Sequence, residues 1–108
     1  MNTAPLFRLT QRAIEDLDSI WSYIAADNLD AANRVEQAIL ASCEKLGRFP
    51  MLGSKRADIT SKPVRFWTVT RFPNFIVVYR PDISPIHVIT ILHGSRDIKR
   101  VLSEPGIQ

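Results

Sequence analysis

The chain predicts an α+β domain in the order β-α-α-β-β-β-(α), a helical hairpin packed on one face of an antiparallel sheet. Three observations predict it. Residues 11–49 carry apolar side chains at helical spacing, with one break. Residues 64–93 are β-branched and aromatic runs with short interruptions. Those interruptions, "RFPN" and "PDISP", are too short to hold crossover helices, so the three strands run as an antiparallel meander. The 108 residues are enough for one domain with one modest core, and their 45% hydrophobic content is ordinary for a globular protein.

The elements follow in order. Leu6 to Leu9 is a short strand. Thr10 then serves as an N-cap, its hydroxyl accepting a backbone N–H of the first turn. Ala13, Leu17, Ile20 and Ile24 form one stripe, flanked by Ile14, Trp21 and Ala25. Glu15, Asp16 and Asp18 occupy much of the remainder, near the helix start where negative charge is favoured. The helix ends near Ala26. In "DNLDAAN", Asn28 caps a second helix and Asp30 sits in its first turn. Val35, Ile39, Ser42 or Cys43, Leu46 and Phe49 make its apolar stripe. Pro50 cannot continue it. Two helices joined by about three residues run antiparallel.

Residues 51–63, "MLGSKRADITSKP", are a loop rich in breakers, and loops of this length are often functional. Strands follow at Val64 to Thr70, Phe75 to Arg80 and Ile86 to His93. Gly94 permits a positive φ in the turn after the last strand. Ile98 to Leu102 forms a closing helical turn with Ser95 or Asp97 as its cap. Cys43, the single cysteine, reads as a small buried hydrophobe.

The net charge of +3 is unevenly spread. Residues 11–46 hold three basic and seven acidic side chains; residues 47–108 hold ten basic and four acidic ones. Either the basic half meets an anionic surface, or an acidic helical layer complements a basic sheet layer. No apolar run approaches the roughly 20 residues that cross a bilayer. The opening "MNTAPLFRLTQ" lacks the pattern of a signal peptide, so a cytoplasmic protein without membrane contact is expected. No Asp, Glu and His cluster falls at ligand spacing, so neither metal nor cofactor is expected.

Three stretches carry a family resemblance. "LTQRAIEDLDSIWSYIAADN" resembles the opening helix of ParE-type toxins, in the RelE/ParE superfamily of toxin–antitoxin modules. "LGRFPMLGSKRADI" resembles the segment closing their second helix, and "FIVVYRPD" with "VITILHGSRD" resembles their paired strands. The resemblance implies the RelE/ParE-like fold for residues 1–108. It also implies the toxin of a type II system, involved in growth inhibition and plasmid stabilisation. The expected partner is a cognate antitoxin, ParD-like with a ribbon-helix-helix or similar domain, through which alone operator DNA is bound. ParE-like relatives poison DNA gyrase; RelE-like relatives cut mRNA on the ribosome; a member that only binds antitoxin is a third reading.

The target-binding residues expected from the basic half are Lys55, Arg56, Arg65, Arg80, His93 and Arg96. A poison of gyrase needs no catalytic residue of its own. A metal-free endoribonuclease would need a proton carrier and cations around the phosphorane, for which Arg65, Arg80, His93 and Arg96 are the candidates. Alternation places His87 on the same face as His93. Ordinary surface or hydrogen-bonding roles fit both histidines equally. Exposed apolar candidates for antitoxin contact are Ile14, Trp21 and Leu29.

Overall fold

The computed structural model describes residues 5–94. Its elements are β1 (Phe7–Leu9), α1 (Gln11–Ala25), α2 (Leu29–Arg48), β2 (Arg65–Thr68), β3 (Phe75–Arg80) and β4 (Ile86–His93). The strands form one sheet in the order β1-β4-β3-β2. The expected meander β2-β3-β4 is antiparallel throughout. β1 adds to the free side of β4 in parallel, Phe7 opposite Ile86 and Leu9 opposite Val88, so the whole sheet is mixed. The long helical connection after β1 imposes none of the antiparallel return that a tight turn would. The closing turn expected at Ile98 to Leu102, with Ser95 or Asp97 as its cap, lies outside the described residues.

Both predicted caps form. The Thr10 hydroxyl accepts from Ala13 N at 3.1 Å, and Asn28 Oδ1 accepts from Ala31 N at 2.9 Å. Three residues separate the helices, and Trp21 Nε1 donates across the hairpin to Asn33 Oδ1 at 2.9 Å. Thr10 also ties α1 to the sheet: its N–H donates to Val88 O at 3.1 Å and its hydroxyl to Ile89 O at 2.7 Å.

The acidic residues of α1 lie beyond its first turn, so the dipole is not their role. Asp16 instead reaches β4, where β1 has ended and the strand edge is open. Its Oδ2 accepts from Ile91 N at 3.1 Å and from the Thr90 hydroxyl. A carboxylate thus takes the place of the missing strand neighbour.

The core has two parts on opposite faces of the sheet. On the helical face, Ala13 and Leu17 of α1 and Val35, Ile39, Cys43 and Leu46 of α2 pack on Val77, Tyr79, Val88 and Ile91. On the other face, Val64, Phe66, Val78, Ile89 and Leu92 gather beneath Ile59 of the long loop. Phe49 departs from its expected place in the stripe. It terminates α2 with non-helical dihedrals and is 60% exposed, leaving Leu46 as the last buried position.

A β-bulge between β3 and β4 changes the reading of the histidines. Val78 faces Thr90, but Tyr79 faces Val88, leaving Ile89 as the extra residue. Ile89 and Ile91 therefore fall in different core clusters. His87 and His93 consequently lie on opposite faces, not on one, because one inserted residue inverts the period-2 alternation.

Candidate functional site

The cations named from the sequence divide by what holds them. Arg56 is clamped to Asp58, its Nε and Nη2 donating at 3.0 and 2.9 Å. Arg80 is clamped to Asp82 in the same fork-to-fork manner at 3.2 and 2.7 Å. The Arg80 hydrogen bonds hold the Asp82 carboxyl below its usual range. Arg65 turns to the loop, where Nη1 donates to Gly53 O at 2.7 Å and to Met51 O at 3.4 Å. Lys55 is exposed on the loop. Arg96 lies outside the described residues.

The Arg65 contact belongs to a larger clamp. Tyr79, fully buried, accepts from Gly53 N at 2.8 Å and donates to Pro50 O at 2.7 Å through its hydroxyl. A Cβ on Gly53 would come within 2.6 Å of that hydroxyl and 2.9 Å of Phe66 O. Strands β2 and β3 thus hold the start of the long loop against the sheet. Burial raises the Tyr79 pKa above its ordinary value, so the phenol stays protonated and able to donate.

His93 is exposed at the end of β4, its ring stacked on Phe75 with centroids 4.7 Å apart. Gly94 follows with φ of +82°, as expected for the turn. Arg80 pairs with His87, six residues before His93 and roughly 20 Å away along the strand at about 3.3 Å per residue. Arg65 pairs with Tyr79 and therefore lies on the opposite face of the sheet from Arg80, while His93 stands at the far end of β4. Among the described residues, neither Arg65 nor Arg80 converges on His93. Among the described residues, no three His, Cys, Asp or Glu side chains gather as a metal site.

On the helical hairpin, Ile14 and Leu29, named from the sequence as candidates for antitoxin contact, are exposed at 47% and 56%. Trp21 is half-buried and anchored by its bond to Asn33. Further exposed apolar side chains are Tyr23 beside the hairpin turn and Phe49, Met51 and Leu52 at the far end of α2.

Sequence reading missed a groove of about 540 Å³ between α2 and the β2–β3 turn. Arg34, Ala38, Ala41 and Lys45 line one wall, and Thr70, Arg71 and Phe72 the other. The α2 residues share a face by spacing, which a search for basic residues on that face would have found. Arg71 could not have been found so: it joins them through the turn, with φ of +76°.

Comparison with known proteins adds an independent line. The family model described as "ParE toxin of type II toxin-antitoxin system, parDE" matches residues 7–98. The curated protein "Putative toxin Y4kP" of Sinorhizobium fredii is 30% identical over 95 residues, covering 88% of this chain and 94% of its own. A solved structure titled "Chromosomal ParDE TA system from P. aeruginosa" superposes with a TM-score of 0.70 at 22% identity. That match covers 82% of this chain and 95% of the other, and it shows a shared fold.

Proposed function

The chain belongs to the ParE toxin family of type II toxin–antitoxin systems, and from that premise we propose that it arrests growth by poisoning DNA gyrase until a cognate antitoxin binds it. The observation that carries this reading is the family match, which spans the helical hairpin and all four strands. Cytoplasmic location follows from such a target. Among the described residues, no helix is long and apolar enough to cross a membrane.

The reading asks for binding rather than chemistry. The basic residues on the loop and sheet supply an attractive surface for a target that is itself bound to DNA. Arg56 and Arg80 already have carboxylate partners, so a target phosphate would have to displace Asp58 or Asp82, whereas Lys55 sits exposed on the loop. Among the described residues, His93 stands apart from Arg65 and Arg80, which lends ribosome-dependent RNA cleavage little support. Operator DNA would be reached only through the antitoxin.

Controlled expression in a bacterial host tests the proposal. Growth should stop with accumulation of cleaved chromosomal DNA, and co-expression of the neighbouring antitoxin should restore growth. Arrest with intact DNA and truncated mRNA would instead support the RelE-like reading. Unimpeded growth from folded protein would support a member that only binds antitoxin.

A further inference from the structure

Residues 45–56, "KLGRFPMLGSKR", hold four basic side chains and no acidic one. Three large apolar side chains of this stretch, Phe49, Met51 and Leu52, are exposed. Single exposed apolar residues are ordinary, but three within four positions make a patch. Each forgoes the burial that favours folding.

The backbone that carries the patch is held in place from the core. Phe49 N donates to Lys45 O at 2.9 Å, and Leu52 N to Phe49 O at 3.0 Å. The Tyr79 hydroxyl spans Gly53 N and Pro50 O, and Arg65 Nη1 donates to Gly53 O and Met51 O. Ser54 then exchanges both backbone hydrogen bonds with Phe66 of β2, each at 2.9 Å. The turn therefore keeps its shape, and its apolar side chains stay outside.

We infer that this turn is a preformed apolar knuckle that docks into an apolar pocket bordered by carboxylates on the toxin's target protein. That target is gyrase on the reading above, and the inference rests on that reading. The centre of the patch is apolar, which suits a protein pocket and not a phosphate backbone. Aromatic, Met and Arg side chains are the types enriched at interface cores. The border is basic: Arg48 and Lys55 are exposed, and among the described residues neither has a carboxylate partner. A pocket edged by carboxylates complements both features. Lys55, named above for target contact, lies on the same loop, so the knuckle continues that surface. A second copy docking through the same turn would set like charges against each other. Phe49, Met51 and Leu52 do not line the groove beside α2. Fixing the turn beforehand removes the ordering cost that a flexible loop would incur on binding.

Binding kinetics of the full toxin on immobilised gyrase, with antitoxin binding measured in parallel, test the inference. Met51 is 67% exposed and Leu52 41%, so Met51→Ser with Leu52→Ser should leave the thermal midpoint in place. This double variant should leave gyrase at least about tenfold faster, with little change in association rate. Its affinity for the antitoxin should be unchanged. Arg48→Gln with Lys55→Gln should instead slow association with gyrase and flatten its salt dependence. Tyr79→Phe keeps all three apolar side chains but unpins the turn; it should weaken gyrase binding and speed amide exchange at Gly53. Undiminished gyrase affinity in the folded Met51 and Leu52 variant would overturn the inference and leave the gyrase reading intact. Lost antitoxin affinity with gyrase affinity retained would assign the turn to the antitoxin and overturn the inference too. A parent toxin that self-associates, and is monomeric in the variant, would assign the turn to a second copy with the same consequence. A folded, antitoxin-competent parent that does not bind gyrase would overturn the gyrase reading, and the inference with it.

Discussion

Tyr79 shows how one hydroxyl can organise a loop. Its O–H bridges Gly53 N and Pro50 O from within the core. Tyr79→Phe keeps the ring and orphans both backbone groups, so stability should fall by about 1–3 kcal/mol in a denaturant titration. The raised pKa also fixes a sign. The unfolded phenol ionises first as pH rises through its ordinary value near 10, so stability should be full below that and decline above it. Cys43 is fully buried and its pKa is pushed up to about 12, chiefly by burial. A thiol reagent at neutral pH should therefore label the native protein only at the rate of opening, and labelling at the free-thiol rate would contradict the burial. Residue-scale roles of this kind were poorly legible in the sequence. Arg65 reads as a free cation until Gly53 O and Met51 O are seen beside it. For Arg80 the sequence offered both Asp82 and Asp97 as partners, and the structure shows its fork on Asp82, two residues away.

Elements with local signals were read correctly, and those set by distant contacts were not. Thr10 and Asn28 cap their helices through bonds spanning three residues, so their types announced them. The bulge at Ile89 has no local signature, and it alone separates the faces of His87 and His93. Asp16 looked like a dipole partner, yet its bonds reach Thr90 and Ile91, more than seventy residues away. Asp16→Ala should expose the open edge of β4 and cost about 1–3 kcal/mol, with faster amide exchange at Ile91. α2 offers a sharper test at Gly47. An exposed helical Gly→Ala change normally gains up to about 1 kcal/mol. Here a Cβ would stand 2.3 Å from Leu6 O and 2.8 Å from Leu6 C, where the helix meets the backbone leading into β1. Gly47→Ala should therefore lower the thermal midpoint, and a rise would show that the contact yields easily.

At the scale of the whole molecule, the proposed function would give the acidic helical half and the basic sheet half to two kinds of partner. Exposed apolar side chains on the helices, Ile14 and Leu29 among them, suit an antitoxin; Lys55 and its neighbours suit a target bound to DNA. Both contacts should weaken as salt rises, the target contact more steeply, because each phosphate engaged releases counterions. Fold and family were legible because helical stripes, β-rich runs and three ordered motifs all agree. The site was legible only as a charge imbalance, since sequence cannot show which cations are already paired. The most direct measurement combines the purified protein with gyrase, ATP and supercoiled plasmid, followed by detergent denaturation and protease. Gyrase poisoning predicts linear plasmid that requires both proteins and disappears when antitoxin is added first. Plasmid supercoiled as fully as without the protein, with no linear form, from folded and antitoxin-competent protein would contradict it.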